Sequence, residues 1–199
     1  MPKPVIGLIG GIGSGKSRVA EELARHSGTV ISGDKLGHEA LHDPEIKATV
    51  ILRWGNGIVD ADGNIDRRHL GKIVFADERQ RQGLEDLSFP FIERRIGEEI
   101  ARAGLEKKAT FVVLDAAVML EAGWNKFCDR LVYVKVPRAI RLKRLTEQRG
   151  FREADVIARE KAQWPETEKE KRADVVLDNS GSPEDLTRKV EELVKQLVG

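Results

Sequence analysis

Four glycines fall between residues 10 and 15, and their setting restricts the fold more than any other feature of the chain. Residues 5–23 read VIGLIGGIGSGKSRVAEEL: an apolar run, a glycine-dense loop, then apolar residues at helical spacing. Val5–Ile9 is short and rich in aliphatics, as expected of a parallel strand buried on both faces. Val19, Ala20, Leu23 and Ala24 recur at helical spacing, and Gly28 is the expected stop. A turn needs only one or two glycines, so the surplus implies that something approaches the main chain closely.

Gly10-Gly11-Ile12-Gly13-Ser14-Gly15-Lys16-Ser17 fits G-x-x-x-x-G-K-[ST] in full, between a strand and a helix as that motif requires. Glycines let successive N–H groups turn inward around a phosphate, and the helix N-terminus adds partial positive charge. Lys16 is then expected on the β- and γ-phosphates and the Ser17 hydroxyl on magnesium, with Arg18 directly after them. The group that comes so close is a polyphosphate.

The rest of the chain repeats the same alternation. Residues 29–32, 110–116, 130–136 and 173–179 read as further strands, while 35–110 is mostly helical, interrupted by the turn DADGN at 60–64. Pro137 opens another helix. Ser182-Pro183-Glu184-Asp185 is a helix start with a capping serine, proline at the first position and acids in the first turn. Strands alternating with helices predict an α/β fold with a parallel sheet flanked by helices.

A P-loop does not say what is done with the phosphate. Asp34 follows the second strand on the rim where ligands bind in such sheets, which suits a catalytic base; capping the next helix suits it equally. Asp115, ending FVVLD, is the expected second acid of a magnesium shell. Residues 138–172 hold eleven Lys/Arg against seven Asp/Glu, in a chain of net charge +1. A salt-bridged helix pair explains that excess. So does a basic flap whose Arg144 and Arg149 reach phosphates or stack on a base. The uses left open are a small-molecule or nucleoside kinase and a nucleotide-dependent switch.

Near-neutral charge argues against non-specific nucleic-acid or membrane binding, and the apolar stretches are too short to span a bilayer. The single cysteine, Cys128, allows no intrachain disulfide, suits a reducing cytoplasm and reads as a packing residue. His38 and His42 face solvent, and Trp54, Trp124 and Trp164 are expected to pack rather than stack on a base.

Beyond the P-loop, an ordered set of motifs resembles the dephospho-CoA kinase family over nearly the whole length. VISGD, WGNGIVDADGNIDRRHLGKIVF, LDAAVMLEAGW, VYVKVPRAIRLKRL, AREKAQ and ADVVLDNSGSPEDL follow GLIGGIGSGKS in order. The resemblance implies transfer of the ATP γ-phosphoryl group to the 3′-hydroxyl of dephospho-CoA, with ATP and Mg2+ as cofactors. It also implies a P-loop NTPase fold in a single chain. The core is about 1–34, 110–137 and 173–199, the helical substrate-binding region about 35–109, and the helical lid about 138–172. It makes Asp34 the base, places Asp115 and Glu121 beside the acceptor, Arg144 near adenine, and Asn179 and Gly181 in the loop around the base. The chain departs from the family pattern at Arg18, Ser32, Phe89 and Ala117. Gln148 stands where the second lid arginine falls, with Arg149 next to it. The expected partner is a small-molecule substrate rather than nucleic acid or membrane, the expected location the cytoplasm, and the expected state a monomer.

Overall fold

The computed structural model describes residues 2–198. Five strands, β1 (Val5–Ile9), β2 (Gly28–Ser32), β3 (Phe111–Asp115), β4 (Arg130–Lys135) and β5 (Val175–Asp178), form one parallel sheet. Their order is β2-β3-β1-β4-β5, which puts the strand preceding the glycine loop at the centre. All five residues of β1 are buried, as its unbroken apolar run requires. Register aligns Leu8 and Ser32 with Asp115, so β1, β2 and β3 end at the same rim.

Two helices close the core. Val19, Ala20 and Leu23 of α1 (Lys16–Arg25) and Leu186, Val190 and Leu193 of α9 (Pro183–Val198) pack with Ile6, Leu8, Phe111, Val113, Val132 and Val134 of the sheet. Ser182 caps α9 as its sequence predicts, its hydroxyl accepting from the Asp185 N–H.

Chain contacts divide the protein into two compact units: residues up to Gly33 together with those from Gly97 onward, and Asp34–Ile96. The second unit holds α2 (Gly33–Ala40) from Asp34 on, α3 (Pro44–Trp54), α4 (Arg67–Ala76) and most of α5 (Glu78–Leu105), whose last turns belong to the first unit. Its own core is built from Val50, Ile58, Ile65, Leu70 and Val74. Asp43 and Asp66 start α3 and α4 by accepting from the N–H groups of Glu45 and Ile46, and of Arg68 and His69. The turn expected at 60–64 forms because the Asp60 carboxylate accepts from the N–H groups of Asp62 and Asn64. The remainder of the first unit comprises α6 (Arg138–Lys143), a π-helical turn (Arg144–Gln148), α7 (Glu153–Lys161) and α8 (Glu166–Arg172).

One expectation needs correction. Gly28 does not stop the first helix: α1 ends at Arg25, Ser27 takes a left-handed φ of 68°, and Gly28 opens β2. A Cβ there would lie 2.5 Å from Cε2 of Phe111, so glycine serves the packing of the sheet rather than the turn. Cys128 behaves as a packing residue, its thiol pushed up to about 12 mainly by burial, and it lies against Met119. Trp124 is buried, while His38 and His42 are exposed with their rings edge to face.

Gly7, in the middle of β1, provides the space into which these side chains pack. A Cβ there would stand 2.6 Å from Cys128 Sγ and 2.8 Å from both Leu131 Cδ2 and Met119 Sδ. Gly7→Ala should therefore destabilise the fold by about 1–3 kcal/mol through overpacking. The measurement is urea unfolding, with the midpoint lowered and the slope unchanged.

Candidate active site at the rim of the sheet

The loop between β1 and α1 takes its shape from backbone conformations that other residues rarely adopt. Gly13 and Gly15 have φ of 79° and 83°, in the left-handed region. Gly11 is required for a different reason, since a Cβ there would collide with the Glu166 carboxylate and lie 2.7 Å from Arg141 Nη1.

Around this loop the carbonyls are occupied in turn. The Gly10 carbonyl accepts from Lys16 Nζ at 3.2 Å and that of Gly11 from the Ser14 N–H at 3.1 Å. The Ile12 carbonyl accepts from Arg141 Nη1 and that of Ser14 from Asn179 Nδ2, both at 2.8 Å. The Gly15 carbonyl accepts from the Val19 N–H as the first bond of α1. Lys16 is buried and Ser17 is exposed, so the ammonium is held beside the loop while the hydroxyl stays open.

Ser17 and Asp115, paired from the sequence as metal ligands, are brought together: the hydroxyl donates to the Asp115 carboxylate at 2.7 Å. Magnesium takes oxygen ligands and keeps several waters, so one hydroxyl and one carboxylate beside a polyphosphate are a sufficient donor set. Among the described residues no cluster of three or more His, Cys, Asp or Glu could hold a metal ion, so an all-protein cage is absent there.

Arg144, in the π-helical turn, donates from Nη2 to the Asn179 carbonyl at 3.0 Å. Asn179 thus holds the loop with its side chain and Arg144 with its main chain, and exposed Gly181 follows two residues on. Leu145 is fully buried, 2.9 Å from where a Cβ of Gly13 would stand. Arg18 and Arg149 are exposed. Glu121 is engaged inside the first unit, accepting from the Trp164 N–H at 2.7 Å and pairing with Lys169 at 3.0 Å. Asp34 opens the second unit, exposed in the first turn of α2, and its carboxylate makes no side-chain bond among the described residues.

Five of the eleven basic residues in 138–172 are held in ion pairs. Arg138 pairs with Glu160, Arg152 with Asp155, Lys171 with Glu168, Lys169 with Glu121, and Arg141 with both Glu160 and Glu166. The expectations from sequence omit Arg141 and Lys169, which are 3% and 1% exposed. For Arg141 a signal existed. It precedes buried Leu145 by four residues, so it occupies the buried stripe of its helix, where an unpaired charge could not stay.

Asn179→Ala would leave the Ser14 carbonyl without its donor in a buried place, a loss of about 1–3 kcal/mol. Thermal unfolding should show that loss, and titration calorimetry should show weaker ATP binding.

Known proteins resemble this chain along nearly its whole length. The family model described as dephospho-CoA kinase matches residues 4–185. A dephospho-CoA kinase of Geobacter sulfurreducens is 38% identical over 194 residues, covering 95% of this chain and 96% of the relative. A solved Thermus thermophilus protein superposes with a TM-score of 0.80 at 34% identity, covering all of both chains. The dephospho-CoA kinase structure from Campylobacter jejuni gives 0.71 at 23% identity, covering 98% of each chain, and shows the same fold. A full-length match of this kind, on a chain with an intact P-loop, has one reading: the chain belongs to the dephospho-CoA kinase family of ATP-dependent P-loop kinases.

Proposed function

We propose that the P-loop, Asp34, Asp115 and the lid arginines divide the labour of moving the γ-phosphoryl group of ATP to the 3′-hydroxyl of dephospho-CoA. The observation that carries this reading is the complete Gly10–Ser17 loop, in a chain matched by the dephospho-CoA kinase family along nearly all its length. Residues about 1–34, 110–137 and 173–199 act as the core, about 35–109 as the acceptor-binding region and about 138–172 as the lid.

Phosphoryl transfer leaves little covalent work to the protein, so positioning and charge do most of it. Loop N–H groups and the Lys16 ammonium hold the β- and γ-phosphates. Asp34 accepts the proton as the acceptor oxygen forms its bond to γ-phosphorus, and the bond from that phosphorus to the β–γ bridging oxygen breaks, releasing ADP. The Asp34 carboxylate, two residues past the end of β2 and without a side-chain bond among the described residues, supports that role over helix capping. Ser17 and Asp115 fit magnesium, which when bound neutralises phosphate charge and orients the oxygens. Arg144 and Asn179 form the nucleotide-base side together with Gly181, and Arg18, directly after Ser17, serves the α-phosphate. Arg149, exposed and without a side-chain bond among the described residues, is available to the transferring group on lid movement, in place of the arginine missing at Gln148. Glu121 shapes the acceptor side through its bond to the Trp164 N–H. Among the described residues no helix is long and apolar enough to cross a membrane. We place the enzyme in the cytoplasm, as a monomer.

Mass spectrometry of a reaction with ATP, magnesium and dephospho-CoA should show a product heavier by one phosphoryl group; no such product, with ATP bound, rejects the acceptor. Asp34→Asn should lower kcat by about 10²–10⁴-fold with ATP affinity retained. Turnover near wild type would remove Asp34 as the base. Chelation with EDTA should stop turnover, and added magnesium should restore it.

A further inference from the structure

We infer that Arg141 is a positioning residue for the P-loop: it orients the Gly13 N–H toward the phosphate site, and it makes that orientation depend on the α7–α8 segment. The inference rests on reading residues 10–17 as the ATP phosphate site.

Arg141 is 3% exposed, and its guanidinium is satisfied from three directions. Nε donates to the Val136 carbonyl at 3.2 Å, tying the side chain to the chain just past the end of β4. Nη1 donates to the Ile12 carbonyl at 2.8 Å and faces Glu160 at 3.4 Å, and Nη2 pairs with Glu166. Glu166 in turn accepts from the Tyr133 hydroxyl at 3.2 Å, and Glu160 also pairs with Arg138. The planar fork of an arginine can serve these partners together, whereas a lysine has one nitrogen to place among them.

The consequence for the loop follows from covalent geometry. A trans peptide is planar, so its C=O and N–H point to opposite sides. Holding the Ile12 carbonyl on Arg141 fixes the Gly13 N–H in the other direction. At Gly13, φ is 79°, a region glycine enters without penalty, so the residue alone does not hold the peptide and an outside donor is needed. Asn179 does the same for the Ser14–Gly15 peptide from the end of β5, the strand beyond β4. The difference lies in what stands behind each donor. Arg141 is held by acids from two elements of the 138–172 segment, Glu160 of α7 and Glu166 of α8. Movement of that segment therefore acts on the loop peptide through one side chain. The same pairing neutralises two carboxylates beside Gly11 that would otherwise repel a polyphosphate.

The test measures ATP binding by calorimetry without acceptor, then KM for each substrate, in the full-length chain. Arg141→Lys and Arg141→Met should raise Kd and KM for ATP by about tenfold, one kcal-scale interaction, with KM for dephospho-CoA within twofold. Glu166→Gln should give a smaller rise in the same direction. The triple variant Arg141→Met/Glu160→Gln/Glu166→Gln removes the exposed carboxylates. A retained rise there supports orientation of the peptide, and ATP affinity back at the wild-type level overturns it, leaving charge alone. If Arg141→Met does not fold, Arg141→Lys decides: wild-type ATP affinity, or equal loss for both substrates, overturns the inference. A wild-type chain that binds no ATP would instead reject the phosphate-site reading itself.

Discussion

The planar peptide is the constraint on which this site depends. A phosphate cradle made of N–H groups requires every second atom pair of the loop to face outward, and each outward carbonyl must find a donor or remain exposed. Here the donors are Lys16, Ser14, Arg141, Asn179 and Val19. Only three of them are local. Ile12 and Ser14 are served by residues 129 and 165 positions away, so the cradle exists only once β4, α6 and β5 have assembled around β1. The sheet order makes this possible, since β4 and β5 follow β1 on one side and the segments after them carry both donors.

That dependence explains which features the sequence discloses. The strand-loop-helix of residues 5–23, the Asp60 turn and the Ser182 cap rest on neighbours within a few positions, and their residue types state the geometry directly. The parallel sheet was legible for the same reason, as four further apolar runs separated by helical patterns. Long-range partners were not. Asn179 was expected in the loop around the base by resemblance, and nothing near it in sequence indicates that its amide reaches Ser14. Gly28 looked like a helix stop because the glycine signal for a turn and for close packing is the same letter; Phe111, which decides between them, is 83 residues away.

The charge pattern of 138–172 is compatible with a salt-bridged helix pair and with a basic flap alike. Eleven basic residues against seven acids suggest a positively charged flap, yet acids take five of these cations in pairs, Lys169 through Glu121 outside the segment. What composition reports as an excess is, in space, a set of ion pairs within and between helices, with further cations such as Arg144 and Arg149 beside them. Exposed bridges of this kind each contribute little to stability, about 0–1 kcal/mol. The buried ones differ: removing Glu160, Glu166 or Glu121 would leave Arg141 or Lys169 as a buried charge without its partner, a loss of about 3–5 kcal/mol.

A chain of net charge +1 must still attract a polyanion, and the arrangement shows how. Two charges 4 Å apart interact by about 4 kcal/mol at an effective dielectric of 20, so one bare carboxylate beside the loop could cancel the attraction of Lys16. Glu166 lies against Gly11, close enough to matter. Pairing it with a guanidinium that also fixes the loop backbone removes the repulsion and shapes the cradle with the same atoms. Attraction at the site is therefore obtained less by adding cations than by confining anions. This is why a near-neutral composition, which argues against nucleic-acid or membrane binding, is compatible with holding a nucleotide triphosphate.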